Sequence, residues 1–328
     1  MQPDMPKAIG AGLAAAIALK VAAIAPSVVG VPLIALLTLP IALAGLITNA
    51  STSFVAAGVA TLLLGVGASL PAGGLFALSA GLPAAFLVHQ ALLHRDVVGV
   101  KGGEGTAEWY PVGRIVQVAA LIAGGVTALG IALTSGFDGS TGKLELAVQA
   151  AVDKMVAMDW GGLSAAGPLT DADKAKLTQM MLKLLPASSG AFWMLGLLAS
   201  LWLAAHIAHA SRRLARPWPD LAAFALPAGA PFLLALSVGI AMLSDGMPRL
   251  AVTGFAGAMY TAYVLQGLAI IHYNSRGVPW RGPALGAFYV LVIALNTVAT
   301  VMLVLIGLLD GFVPLRRRPG NSPPTHFT

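Results

Sequence analysis

From Val21 to His94 the chain carries no Asp, Glu, Lys or Arg over 74 residues. A bilayer is crossed once by ~20 apolar residues. A soluble domain cannot bury so long an uncharged stretch without a polar face, whereas a membrane accepts it. Pro26, Pro32, Pro40, Pro71 and Pro83 divide the stretch, so it reads as several segments rather than one. The rest of the chain repeats the pattern. Apolar residues make up 58% and charged residues 10%, against about 25% charged in a soluble domain. The expected fold is therefore all-α: a polytopic transmembrane helix bundle of eight or nine spans with an amphipathic helical hairpin insert.

The net charge of +6 does not point to nucleic acid. Lys and Arg cluster between the apolar runs, as the positive-inside bias requires. No Cys is present, which excludes disulfides, thiolate chemistry and Cys-bound zinc. Pro26 leads from the first apolar run directly into a second, so the first segment reads as a retained helix rather than a cleaved signal.

Apolar runs between charges and Pro/Gly breaks place the spans. They are Ala8–Ala25, Val28–Ile47, Ser51–Ser69, Ala72–Leu92, Val112–Thr134, Ala191–Ala210, Leu221–Leu243, Leu250–Ile271 and Pro283–Leu309. Residues 1–312 form one transmembrane domain, and 313–328 a basic, then disordered tail. Between spans five and six lies a polar insert, 135–186. In Lys143–Trp160, Leu144, Val148, Val152 and Met155 share one face. In Asp171–Leu185, Leu177, Met180, Met181, Leu184 and Leu185 do the same. Thr170 with Asp173 caps the second helix and Pro186 ends it. This hairpin is expected on the membrane surface or over the mouth of the bundle.

Arg95 and Lys101, then Arg212, Arg213 and Arg216, then Arg276 and Arg281 mark one face as cytoplasmic. Nine spans put Arg316–Arg318 on the opposite face, against the rule. A broken or re-entrant helix in the Pro-rich first half would resolve the conflict.

Polar side chains inside a membrane are costly and point to function or to helix–helix contact. Lys20 reads as snorkelling to the interface. His89, Gln90 and His94 end the fourth span at headgroup depth. His206 and His209 share a helical face, but no third metal ligand accompanies them. Tyr260, Tyr263 and Gln266 recur every three residues along the eighth span, and Asn296 lies mid-way along the ninth. They read either as glue between helices or as the lining of a small-molecule pocket. Trp109, Arg212, Arg213, Arg216 and Trp218 read as interfacial anchors. No His-Glu-x-x-His, phosphate-binding loop or Gly-x-Ser-x-Gly occurs. No catalytic, cofactor or metal residue is assigned, and the chain is not expected to be an enzyme.

Several strings carry a resemblance. They are Leu39-Pro40-Ile41-Ala42-Leu43-Ala44-Gly45-Leu46, Glu108-Trp109-Tyr110-Pro111-Val112-Gly113-Arg114, Leu201-Trp202-Leu203-Ala204 with Ser211-Arg212-Arg213-Leu214-Ala215-Arg216-Pro217-Trp218-Pro219-Asp220, Gln266-Gly267-Leu268-Ala269-Ile270-Ile271-His272, and Gly307-Leu308-Leu309-Asp310-Gly311-Phe312. In this order the chain resembles the YybS-like family of predicted bacterial membrane proteins (domain of unknown function 2232), of the alphaproteobacterial type. The insert and the tail after Arg318 have no counterpart in the resemblance. It implies no established activity and no site residues. It loosely groups the chain with membrane folds that include the substrate-binding subunits of vitamin transporters and a cell-shape protein, an analogy of fold alone.

The expected function is that of a multi-pass protein of the bacterial inner membrane: a small-molecule transporter or substrate-binding subunit. The alternative is a non-transporting organiser that binds a membrane or cytoplasmic protein. Its partners are the lipid bilayer and a small-molecule ligand or a protein, and not nucleic acid.

Overall fold

A computed structural model describes residues 2–97, 106–136, 141–158, 169–313 and 315–316. Expectations for Lys101, Asp159, Trp160, Arg317, Arg318 and the rest of the tail lie outside these residues. The described chain is a helix bundle with one two-stranded ribbon.

Helix α1 (Met5–Ile24) starts at Asp4, whose carboxylate accepts from Lys7 N at 3.2 Å. Its small face, Ala8, Ala11, Gly12, Ala15 and Ala16, is buried. That face packs against α4 (Ala50–Gly67), where Gly12 lies directly under the Ala56 carbonyl. Asp4 N donates to Thr52 Oγ1 at 3.0 Å, and Asn49 Nδ2 to Gln2 O at 2.9 Å. At the other end Lys20 Nζ donates to Gly67 O at 3.3 Å. A cation on the last carbonyls of a helix is well placed. The contacts at both ends make α1 and α4 parallel, so the segment joining them crosses in the opposite sense.

That segment is broken. Helix α2 (Ser27–Ala35) gives way to a turn, and α3 (Leu39–Leu46) begins with Pro40 in its first turn. Proline cannot donate and crowds the carbonyl four residues back. Leu39 N accordingly bonds Leu36 O, and the Ala35 carbonyl accepts from Ser200 Oγ at 3.2 Å. The fourth crossing joins α5 (Leu70–Phe76), a π-turn (Ala77–Gly81) and α6 (Leu82–Leu92). Pro83, which lacks the N–H that would bond four residues back, accounts for the wide turn there.

The chain is then back on the face of its N-terminus. There β1 (His94–Val97) pairs antiparallel with β2 (Thr106–Trp109), a ribbon absent from the sequence expectation. Helix α7 (Val112–Ser135) crosses to the far face, where α8 (Gly142–Ala157) lies. Helix α9 (Asp171–Ala210) returns. At 40 residues it is longer than any bilayer requires. Pro186 was expected to end the insert; instead it is buried inside one continuous helix, packed near Gly254. Neighbouring helices hold the helix through the proline, as membrane bundles allow. The capping box of Thr170 and Asp173 is present as expected. Leu144, Val148 and Val152 of α8 form a second core with Ile131, Leu177 and Leu185, so the hairpin covers the far end of the bundle.

The seventh span differs from expectation. Residues 221–229 are not helical, and α10 (Ala230–Leu243) has only 14 residues. Pro217, Pro219, Pro227 and Pro231 prevent a helix from starting earlier. Side chains of the bundle satisfy part of the open backbone. Leu226 N donates to Gln266 Oε1 at 2.9 Å, and the Ala223 carbonyl accepts from Arg316 Nη1 at 2.5 Å. Ser135 Oγ, 3.0 Å from Met247 Sδ, sets the start of α11 (Gly246–Asn274) on the far face.

Helix α12 (Arg281–Leu309) is long and apolar enough to cross, yet it does not. Asn296 has φ 27° and ψ −89°, far from helical values. The contacts after it climb in step with α11: Tyr260 with Thr300, Gln266 with Gly307, Asn274 with Leu315. The second limb therefore runs parallel to α11, toward the face on which Arg281 began. The element is a re-entrant hairpin with its tip at Asn296. The count becomes eight crossings plus a hairpin, and the orientation conflict disappears. The re-entrant element is the last helix, not one in the Pro-rich first half. Lys7, Arg95, Arg212, Arg213, Arg216, Arg276, Arg281 and Arg316 all lie on one face, and the capping insert on the other.

Close approach at α7, α9 and α11 depends on glycine. A Cβ at Gly190 would overlap the Gly254 carbonyl, and one at Gly257 the Ala187 carbonyl. Gly257→Ala is expected to destabilise by about 1–3 kcal/mol. Gly239→Ala, with open space around it, should stay within about 0.5 kcal/mol of wild type. Thermal midpoints in detergent compare them, and equal midpoints would contradict this packing.

Candidate functional site

None of the four residues expected to line a pocket stands in the wall of the groove described below. Tyr263 is buried at the contact between α11 and the second limb of α12, where a Cβ on Gly307 would meet its carbonyl. Tyr260 donates to Thr300 Oγ1 at 2.9 Å. Gln266 spends its whole amide on protein: Oε1 accepts from Leu226 N, and Nε2 donates to Gly307 O at 2.9 Å. Asn296 is exposed at the hairpin tip, away from the other three. An amide bonded at both ends and an asparagine directed outward make the glue reading the one that matches this geometry.

The residues expected as anchors gather at aromatic clusters and helix ends. Trp109 stacks on His94 with centroids 4.7 Å apart in the ribbon. His206 stacks on Trp202 at 5.6 Å, and Trp218 stands edge-on to it at 5.7 Å. His209 lies 5.2 Å from the same indole. His206 thus lies between two indoles and His209 against one of them. No group of three or more His, Asp or Glu that could hold a metal occurs among the described residues. Arg212 and Arg213 are exposed and close α9: Arg212 N bonds His209 O and Arg213 N bonds Ala208 O, the latter at 2.8 Å. This is the paired C-terminal bonding that usually takes glycine, here with Arg212 at φ 55°. Arg216 turns inward and donates to Ala91 O at 3.3 Å; burial lowers its pKa from the ordinary value.

The main concavity lies next to this cluster, on the basic face. One lobe, about 660 Å³, runs between α7, α9, the non-helical 218–224 segment and α11. A smaller lobe of about 110 Å³ continues it toward Leu46 and Ala91, sharing Val112, Val116, Leu198, Trp202 and Trp218. Three titratable side chains stand at the mouth: Asp220, His272 and Arg281. Arg276 holds Asp220 with both guanidinium nitrogens, Nη1 at 2.7 Å, and the pairing lowers the carboxyl pKa. His272 Nε2 is 2.6 Å from Tyr289 Oη on the first limb of α12. Arg281, the first residue of α12, has no carboxylate partner among the described residues, and its Nε is buried without a hydrogen bond.

Sequence reading identified Arg281 only as a topology marker, and Leu265, Leu268 and Phe224 not at all. The available signal was Pro217, Pro219 and Pro227, which hold an irregular segment against the bundle and open the groove beside it.

A family model described as predicted membrane protein (DUF2232) matches residues 13–311. The chain belongs to that family. The match spans every crossing from α2–α3 onward, most of α1 and the hairpin, and it covers the insert as well. No curated protein and no solved structure matches the chain. As a member of a membrane-protein family, with eight helices among the described residues long and apolar enough to cross, α12 included and the shorter α10 not, it is a multi-pass membrane protein.

Proposed function

We propose that this protein resides in the bacterial inner membrane with its basic face toward the cytoplasm, and that it binds a small molecule in the groove beside Trp202 and Trp218. In this reading it serves as a transporter or as the substrate-binding subunit of one, and not as an enzyme. The observation that carries the reading is the non-helical 221–229 segment at the groove wall, opposite a re-entrant hairpin. Irregular backbone at bilayer depth recurs where helices line a substrate site. The groove volume lies within the ~300–1,000 Å³ common to ligand sites.

A ligand-stabilisation screen in neutral detergent tests it, with Leu268→Trp as the control that fills the groove. One chemical class is expected to raise the wild-type midpoint by several degrees and to leave the variant unmoved. No stabilising class, or an equal response from the variant, refutes the reading. The organiser alternative draws on the far-face cap, where Leu146, Met158, Met180 and Leu184 are exposed. Deleting residues 142–158 would then remove a co-purifying partner without unfolding the bundle, and an unchanged partner set counts against it.

A further inference from the structure

Resting on the small-molecule reading of the groove, we infer that its ligand is a single-chain anionic amphiphile, with its acid head against the Arg281 guanidinium and its chain along the apolar wall. Charge decides the head. Of the titratable groups at the mouth, Asp220 is committed to Arg276, and His272 Nε2 is taken up by Tyr289. Arg281 lines the groove without a carboxylate partner among the described residues. A guanidinium that lines the groove without a carboxylate partner is matched by an oxyanion. Guanidinium suits carboxylate and phosphate because its donors form a planar fork. A cationic head would meet the Arg281 guanidinium, and a neutral one would leave it unpaired.

The wall decides the tail. Away from the mouth the lining is Val112, Val116, Leu198, Leu265 and Leu268, with the Trp202 and Trp218 indoles. Val116 lies one turn along α7 from its start at the basic face, and Leu198 three turns along α9 from its end there. The groove therefore grades from charged at the interface to apolar inside. Trp202 is 49% exposed on the outside of the bundle, so a chain can enter sideways from the lipid.

The test uses the full-length protein in maltoside detergent. The probes are dodecyl phosphate brominated on its chain, the equally brominated dodecyltrimethylammonium, and inorganic phosphate. Bromine quenches tryptophan at contact, and Trp202 and Trp218 line the groove. The brominated phosphate is expected to quench saturably, and Arg281→Gln to weaken its apparent affinity at least tenfold. Arg281→Lys should fall between the two, and Leu268→Trp should abolish saturable quenching by added probe. Should Arg281→Gln fail to fold, the Lys variant and Leu268→Trp carry the comparison. Equal affinity for the ammonium probe, or none lost in Arg281→Gln, overturns the inference. So does displacement by inorganic phosphate as strong as by dodecyl phosphate, which would mark an anion site without a tail site. If the ammonium probe or a neutral chain binds in a manner Leu268→Trp blocks, the groove reading stands and the anionic head falls. If no probe and no screened compound binds, both fall.

Discussion

A cysteine introduced at Phe312 will react with an impermeant maleimide from the same side of the membrane as one at Ser211, and from the opposite side to one at Leu146. The native chain has no Cys, so each single variant reports one position without background. All three residues are exposed. The expectation follows from the fold of α12. A straight helix of 29 residues would carry its end about 42 Å from its start. Asp310 and Leu315 would then lie across the bilayer from the end of α11. Instead Asn274 Nδ2 donates to Leu315 O at 3.1 Å, and Gln266 reaches both Gly307 and Asp310. The charge distribution agrees, because the folded-back hairpin sets Arg316 beside the other clustered arginines. If Phe312→Cys is labelled together with Leu146→Cys, the hairpin does not exist in the membrane.

Arg316→Gln is expected to cost about 3–5 kcal/mol, the range for removing one partner of a buried ion pair. Arg316 and Asp310 are 16% and 7% exposed, with Nη2 and Oδ2 3.2 Å apart. The same guanidinium donates to the Ala223 and Phe224 carbonyls of the non-helical segment. Its loss leaves an uncompensated carboxylate and two open carbonyls together. Asp310→Asn should cost less, because the guanidinium keeps its two carbonyl acceptors. Arg213→Gln, at an exposed helix end, should change stability by no more than about 0.5 kcal/mol. Unfolding midpoints in mixed detergent measure the series, and protease sensitivity near residues 217–229 should rise in Arg316→Gln alone. A midpoint for Arg316→Gln equal to that of Arg213→Gln would show that the segment is held by something else.

Much of this architecture was readable before any coordinates. The spacing marks Leu144, Val148, Val152 and Met155 of α8 and Leu177, Met180, Met181, Leu184 and Leu185 of α9 as apolar faces; Leu144, Val148, Val152, Leu177, Met181 and Leu185 pack together as that implies, whereas Met180 and Leu184 are exposed. The capping box at Thr170 needs only the residues themselves. Pro186 misled, since a proline signals a helix end only where nothing else supports the backbone. Gln266 left two readings open. A buried amide announces that it needs partners but not whether they are protein or ligand, and here they are Leu226 and Gly307.

Residue chemistry by itself determined the solvent: 74 residues without a charge can be at peace only in lipid, whatever their arrangement. It also determined where charges cluster along the chain. Only the tertiary structure decided which face those clusters share. Asn296 sits in an apolar run indistinguishable by hydropathy from a straight span, and nothing local tells it to turn. The turn is maintained from a distance. Gly267 and Gly307 let the second limb lie backbone to backbone on α11, while Gln266 and Arg316 tie that limb to the open segment at 223–226. Those contacts join residues 36 to 93 positions apart, a separation that periodicity and composition do not register.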